Sequence, residues 1–237
     1  MIDVESYCRD IEAYLCRKND GHLIRITGAA FEQVQGWARQ GVPLKIAEAG
    51  IDRYFERYYR KGPRRRPVRV EFCEADVLDA FDDWRRAVGV ARVVADSPGG
   101  PEVEEPSPTA RPKRSLASQI DGALSRLTVL RGSDKAGPLL GPALDQAVRR
   151  LDELSAEAGR ARGEARDAVI GRLAEIDRQL CDAAFAALDG AEQSALQQEA
   201  DGELAPFRER MSAGAYQQSR QQAVNRLVRE RFGLPEL

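Results

Sequence analysis

The chain is poor in lysine, histidine and paired cysteine, and each shortage closes off a class of chemistry. Lysine occurs only at Lys18, Lys45, Lys61, Lys113 and Lys135, so arginine supplies nearly all of the 36 basic residues. His22 is the sole histidine. Any Cys–His or Ser–His pair must use it, and a lone histidine in a turn is ordinarily structural or exposed. There is also no GxSxG, no P-loop and no GxGxxG at a strand-to-helix turn, so we expect no enzyme, no catalytic residue and no cofactor. The four cysteines, Cys8, Cys16, Cys73 and Cys181, form no CxxC pair and read as reduced, buried thiols. Cys8, Cys16, Cys73 and His22 together are legitimate zinc-ligand chemistry. Cys8 and Cys16, however, lie eight residues apart on one helix, about 12 Å along its axis at 1.5 Å per residue, so no metal site is expected. Long apolar runs are missing too. None approaches the ~18 residues of a membrane span, and the opening MIDVESYCRD is acidic, without the basic and apolar regions of a secretion signal. The expectation is a cytoplasmic protein with no membrane association.

What is present is globular: 43% hydrophobic and 31% charged residues, in 237 residues, enough for two small domains with cores of their own. The formal net charge of −2 hides a slight positive excess in residues 1–92 and a slight negative one in 115–237. Neither excess identifies a nucleic-acid binder by bulk charge alone.

Apolar residues recur at helical spacing throughout. Val4, Tyr7, Cys8, Ile11, Tyr14 and Leu15 form one stripe, closed by the turn Asn19-Asp20-Gly21. A second helix, capped by Thr27, buries Phe31, Val34, Trp37 and Ala38 and ends at Gly41. A third, opened by Pro43 at its first position, carries Leu44, Ala47, Ile51, Phe55 and Tyr58. Val68, Val70 and Phe72 alternate with charged residues as in a short extended segment. A fourth helix from Glu74 buries Val77, Leu78, Phe81, Trp84 and Val88. Residues 95–114 are rich in Pro, Gly, Ser and charge, the composition of a solvated linker.

Beyond it, Leu116, Ile120, Leu124, Leu127 and Leu130 mark a clean helix. After a break from Arg131 to Pro142 comes a long pattern through Leu144, Val148, Leu151, Leu154, Val169, Leu173, Ile176, Leu180 and Leu188. Gly159 and Gly163 interrupt that pattern and allow either a bend or a hairpin. Asp189 and Glu192 form a capping box, Pro206 stops or kinks the next helix, and Gly233 caps the last. The fold class is all-α: a compact four-helix module at 1–94, a proline-rich linker at 95–114, and a helical bundle or long helical hairpin at 115–237.

One surface feature is concentrated. Arg53, Arg57 and Arg60 share a face of the third helix, and Arg64, Arg65, Arg66 and Arg69 follow in its exit. Guanidinium groups pair bidentately with phosphate and release condensed counterions. Tyr54 and Tyr59 lie off the core stripe and offer flat faces for stacking on unpaired bases. These nine residues are the candidate nucleic-acid site, for DNA or RNA. An acidic protein partner fits the same patch. So does internal neutralisation by the acidic fourth helix (Glu74, Asp76, Asp79, Asp82, Asp83). In residues 115–237 the Leu and Ala stripes either pack within the chain or leave one stripe for a partner helix or a second copy.

The order of a Trp37-bearing helix, Gly41-Val42-Pro43, an Ile51-bearing helix and a fourth helix with Trp84 resembles the DnaD-type helical module of bacterial replication-initiation proteins. The stretch Val77 to Trp84 is similar to that family's Ile/Leu-rich terminal helix with a Trp, its spacing one residue short. The resemblance spans residues 23–88 and implies a bacterial module that binds DNA and engages the helicase-loading machinery; it transfers no site residue. The combined expectation is a non-enzymatic bacterial adaptor. Its first module contacts nucleic acid and its second binds a partner or self-associates; the alternative is an assembly module without nucleic-acid binding.

Overall fold

The first helix, α1 (Val4–Lys18), starts where the Asp3 carboxylate accepts the Glu5 N–H at 3.2 Å, and buries Tyr7, Cys8, Ile11 and Leu15. The computed structural model describes residues 3–60, 62, 67–90, 115–133 and 137–237, and the expected linker at 95–114 lies outside them. After α1 come α2 (Ala29–Gln40), α3 (Leu44–Tyr59), a 3-10 turn η1 (Val70–Cys73) and α4 (Glu74–Ala87). These are followed by α5 (Leu116–Arg131), α6 (Gly137–Ala158), α7 (Glu164–Ala186), α8 (Gly190–Leu204), the 3-10 turn η2 (Ala205–Arg210) and α9 (Ala213–Phe232). The protein is all-α, with no strand among the described residues.

The chain divides into two units, Met1–Glu102 with Asp201–Arg220, and Val103–Ala200 with Gln221–Leu237. The sequence reading placed 201–220 in the second module; the structure places it in the first. The reason is an aromatic core that α1–α4 leave open. Phe81 and Trp84 of α4 are stacked at 5.7 Å, and Phe207 of η2 packs on both, at 6.4 Å and 5.7 Å. The indole N–H of Trp84 donates to the buried Glu203 carboxylate at 3.1 Å.

Within the first unit, α3 and α4 pack closely at Gly50, where the α4 backbone at Asp76 and Val77 lies within 3 Å of the place a Cβ would take. Two caps differ from expectation. The flank of α2 is Gly28 and not Thr27, because the backbone there has φ 60°, a conformation that disfavours a side chain with a Cβ. Pro43 is the cap residue of α3, one position ahead of where it was expected.

Asn19 does more than end α1. Its buried amide donates to the carbonyls of Leu15 (2.9 Å) and Val68 (3.0 Å) and accepts the Val68 N–H at 2.7 Å, tying the approach to η1 onto α1. Removing a partner from a buried backbone group costs about 1–3 kcal/mol. Asn19→Ala is therefore expected to lower first-unit stability by about that amount in a urea titration. Asn19→Asp should not restore it, since a carboxylate cannot donate to two carbonyls. An unchanged midpoint for both variants would show the clamp to be idle.

In the second unit α5 and α6 form an antiparallel hairpin. Arg131 grips Asp145 at 2.8 and 3.2 Å near one end, and Ser155 donates to Asp121 at 2.6 Å further along. Of the two readings of Gly159 and Gly163, the hairpin is the one adopted: α6 ends at Ala158 and α7 starts after Gly163. The break before α6 is shorter than expected, since that helix begins at Gly137 and takes in Pro142. Leu127, Leu144, Leu151, Ile176, Ala223 and Val228 are among the buried side chains. Arg229 pairs with Asp177, both largely buried. The capping box forms as read, Glu192 N–H to Asp189 at 2.8 Å and Asp189 N–H to Glu192 at 3.4 Å. Gly233, at φ 72°, ends α9. No helix of the described residues is long and apolar enough to cross a membrane.

Candidate nucleic-acid interface

The outward stripe of α3 carries Arg53, Tyr54, Arg57 and Tyr58, Arg60 follows as the cap of its C-terminal end, and η1 packs beside it. Three of the four described arginines have carboxylate partners. Arg53 pairs with Asp83 at 2.9 Å, Arg57 with Asp76 at 2.7 Å and Arg69 with Glu71 at 3.2 Å. Arg60 is exposed and has no carboxylate partner among the described residues. Arg64, Arg65 and Arg66 lie outside the described residues.

These pairs are not equivalent. The Asp76 side chain is only 10% exposed, so Arg57 is the counter-ion of a nearly buried carboxylate and belongs to the α3–α4 packing. Arg53 and Arg69 pair in the open, where an ion pair contributes ~0–1 kcal/mol, little enough for a phosphate to displace the carboxylate. Among the described residues, the arginines of this face that are free of that packing are Arg53, Arg60 and Arg69. The acidic face of α4 provides two of the partners, Asp76 and Asp83, because helical periodicity turns them toward α3.

Aromatic rings make up the rest of the face. Tyr54 stacks on Tyr58 (5.8 Å between centroids, 22° between planes) and on Phe72 (6.4 Å, 14°), giving a ladder of three rings from η1 across α3. The Arg57 guanidinium lies 5.4 Å from the Tyr54 ring centroid. Tyr59 meets Tyr58 edge-on at 5.4 Å and tilts against Phe55 at 5.9 Å. Of the two tyrosines named from the sequence, Tyr54 is a rung of the ladder and Tyr59 braces its end. Tyr58, expected in the core, is half-buried and forms a rung.

Phe72 was missed. The sequence reading grouped it with Val68 and Val70 on one side of an extended segment. In a 3-10 turn the repeat is three residues, so Val70 and Cys73 share the buried side and Phe72 turns outward, 58% exposed. The spacing of Val70 and Cys73 was the one available signal.

Burial holds the Tyr54 phenol above its ordinary value, with Cys73 and Tyr58 adding to the effect. Burial likewise pushes the Cys73 thiol up to about 12, reinforced by the Asp76 carboxylate. Cys73 is therefore a packed thiol rather than a nucleophile. Cys16 accepts the Ile24 N–H at 3.3 Å, and Nδ1 of His22 lies 2.8 Å from the Asn19 carbonyl, so both serve the turn after α1. Among the described residues no three His, Cys, Asp or Glu side chains are placed to hold a metal ion.

No family model, curated protein or solved structure matches the chain. The functional reading therefore rests on the geometry of this face.

Proposed function

We propose that the protein is a non-enzymatic adaptor of the bacterial cytoplasm whose first unit contacts nucleic acid through the α3–η1 face. The second unit takes a protein partner or another copy of the chain. The observation that supports the first part is the interleaving of the exposed guanidiniums of Arg53, Arg60 and Arg69 with a ladder of stacked rings. Phosphates would exchange with Asp83 and Glu71 at the two paired arginines and meet Arg60 directly, each contact releasing a counterion. The DnaD-type likeness of residues 23–88 points the same way without assigning a role to any residue. For the second unit, support comes from Val129 and Leu139, large apolar side chains that are 74% and 72% exposed at the end of α5 and the start of α6.

Fluorescence anisotropy of labelled oligonucleotides with the full chain, across a salt series, tests the first part. Log K should fall linearly with log salt. Arg60→Glu with Arg69→Glu should weaken binding at least about tenfold and flatten the slope by ~0.7 for each lost contact on a single strand. Unchanged affinity and slope would remove this face from the site.

A second reading has an observation of its own. Paired charges around exposed aromatics and arginine also match the composition of a protein interface. A partner retained after nuclease treatment and a high-salt wash, and lost in the double variant, would favour that reading.

A further inference from the structure

Building on the nucleic-acid reading, we infer that the ligand is an unpaired strand and that Phe72 is the ring on which one of its bases stacks. Phe72 ends the ladder and is the most exposed of its rings. The tyrosines stacked behind it, and Arg57 beside Tyr54, hold the ladder in one arrangement before any ligand arrives. A solitary exposed phenylalanine would call for no explanation. One backed by two stacked tyrosines, with Arg57 over the nearer of them and Arg69 in the same turn, has the form of a stacking platform, in which rings take bases and cations take the backbone.

The backbone contacts are close at hand. The Phe72 N–H donates to the Arg69 carbonyl at 3.2 Å, so Arg69 is rooted in the same turn as the ring. Arg60 leaves the end of the helix that carries Tyr54 and Tyr58. In a duplex both faces of each internal base are covered by its neighbours, so only an unpaired base can present one to Phe72. Phosphate contacts alone do not distinguish the two forms. The ring does.

The experiment compares four ligands against the full chain at one low salt concentration: a twelve-nucleotide oligo-dT, the RNA strand oligo-U of that length, the corresponding duplex, and a single strand of abasic sites. The wild type is expected to bind both single strands more tightly than the duplex or the abasic strand. Phe72→Ala should lower single-strand affinity roughly five- to 150-fold and leave duplex and abasic affinity unchanged. Phe72→Trp should keep single-strand binding, with its indole emission quenched on saturation. Because Phe72 lies at the surface, the alanine variant should melt like the wild type, which circular dichroism will check.

Equal wild-type affinity for duplex and single strand overturns the inference. So does a Phe72→Ala protein that binds oligo-dT normally while the Arg60→Glu, Arg69→Glu protein does not, a result that leaves the phosphate contacts standing. Absence of binding to all four ligands at low salt overturns both the inference and the nucleic-acid reading, and turns the face over to a protein partner.

Discussion

Phe207→Ala should lower the stability of the first unit by about 3–5 kcal/mol, the range for removing a buried aromatic ring from a packed core. Phe207 is buried against Trp84 and Phe81, and Gly41 approaches it so closely that a Cβ there would stand 3.1 Å from its ring. Little can move into the space it leaves, because the neighbours are rings and a helix end. Both tryptophans of the protein, Trp37 and Trp84, lie in the first unit, so their fluorescence reports its unfolding. In a urea titration the fluorescence midpoint should fall sharply in the variant. An unmoved midpoint would mean that residues 201–220 do not belong to this core. The same packing bears on any binding assay: a fragment ending near residue 92 would lose η2 and uncover Phe81 and Trp84, so the full chain is the proper reagent.

Gly50→Ala sets two effects against each other. Alanine is a better helix former than glycine by ~1 kcal/mol, which favours the variant. Against this, the new Cβ would stand 2.4 Å from the Cα of Val77, 2.8 Å from its nitrogen and 2.9 Å from the Asp76 carbonyl oxygen. These are backbone atoms and cannot rotate aside, so α4 as a whole must retreat and loosen its packing on α3. Overpacking of this kind costs about 1–3 kcal/mol and sometimes more. The clash is expected to win, with a net loss of about 2 kcal/mol in the urea titration. Gly36→Ala, in open space within α2, supplies the control and should be neutral or stabilising. Equal behaviour of the two variants would show that α3 and α4 do not meet at Gly50.

The all-α class, most of the buried stripes of α1, α3 and α4 (Leu44, Tyr58 and Leu78, for example, are only half-buried), and the caps at Gly41, Gly233 and Asp189–Glu192 were legible in the sequence. Each is written in residues no more than a few turns apart, where helical periodicity and the needs of unpaired N–H and C=O groups impose a readable spacing. Tertiary structure alone decided the rest. Asn19 and Val68 meet across 49 positions, and Trp84 and Glu203 across 119. The stripe of Leu196, Ala200 and Leu204 in α8 was readable, and Ala200 and Leu204 are buried, but no local spacing encodes such partners.

The same division runs through the candidate site. Sequence placed Arg53, Arg57 and Arg60 on one face of a helix, since that is periodicity. It offered neutralisation by the acidic fourth helix as one alternative, but could not select Asp83 and Asp76 as the partners of Arg53 and Arg57, since that depends on how α4 crosses α3. It misplaced Phe72, because a segment of alternating residues reads as extended until Asn19 and Gln33 bind the carbonyls of Val68 and Val70 and the chain tightens into a three-residue turn. Periodicity tells which residues of a helix turn together, and only the packing of one element on another tells what they turn toward.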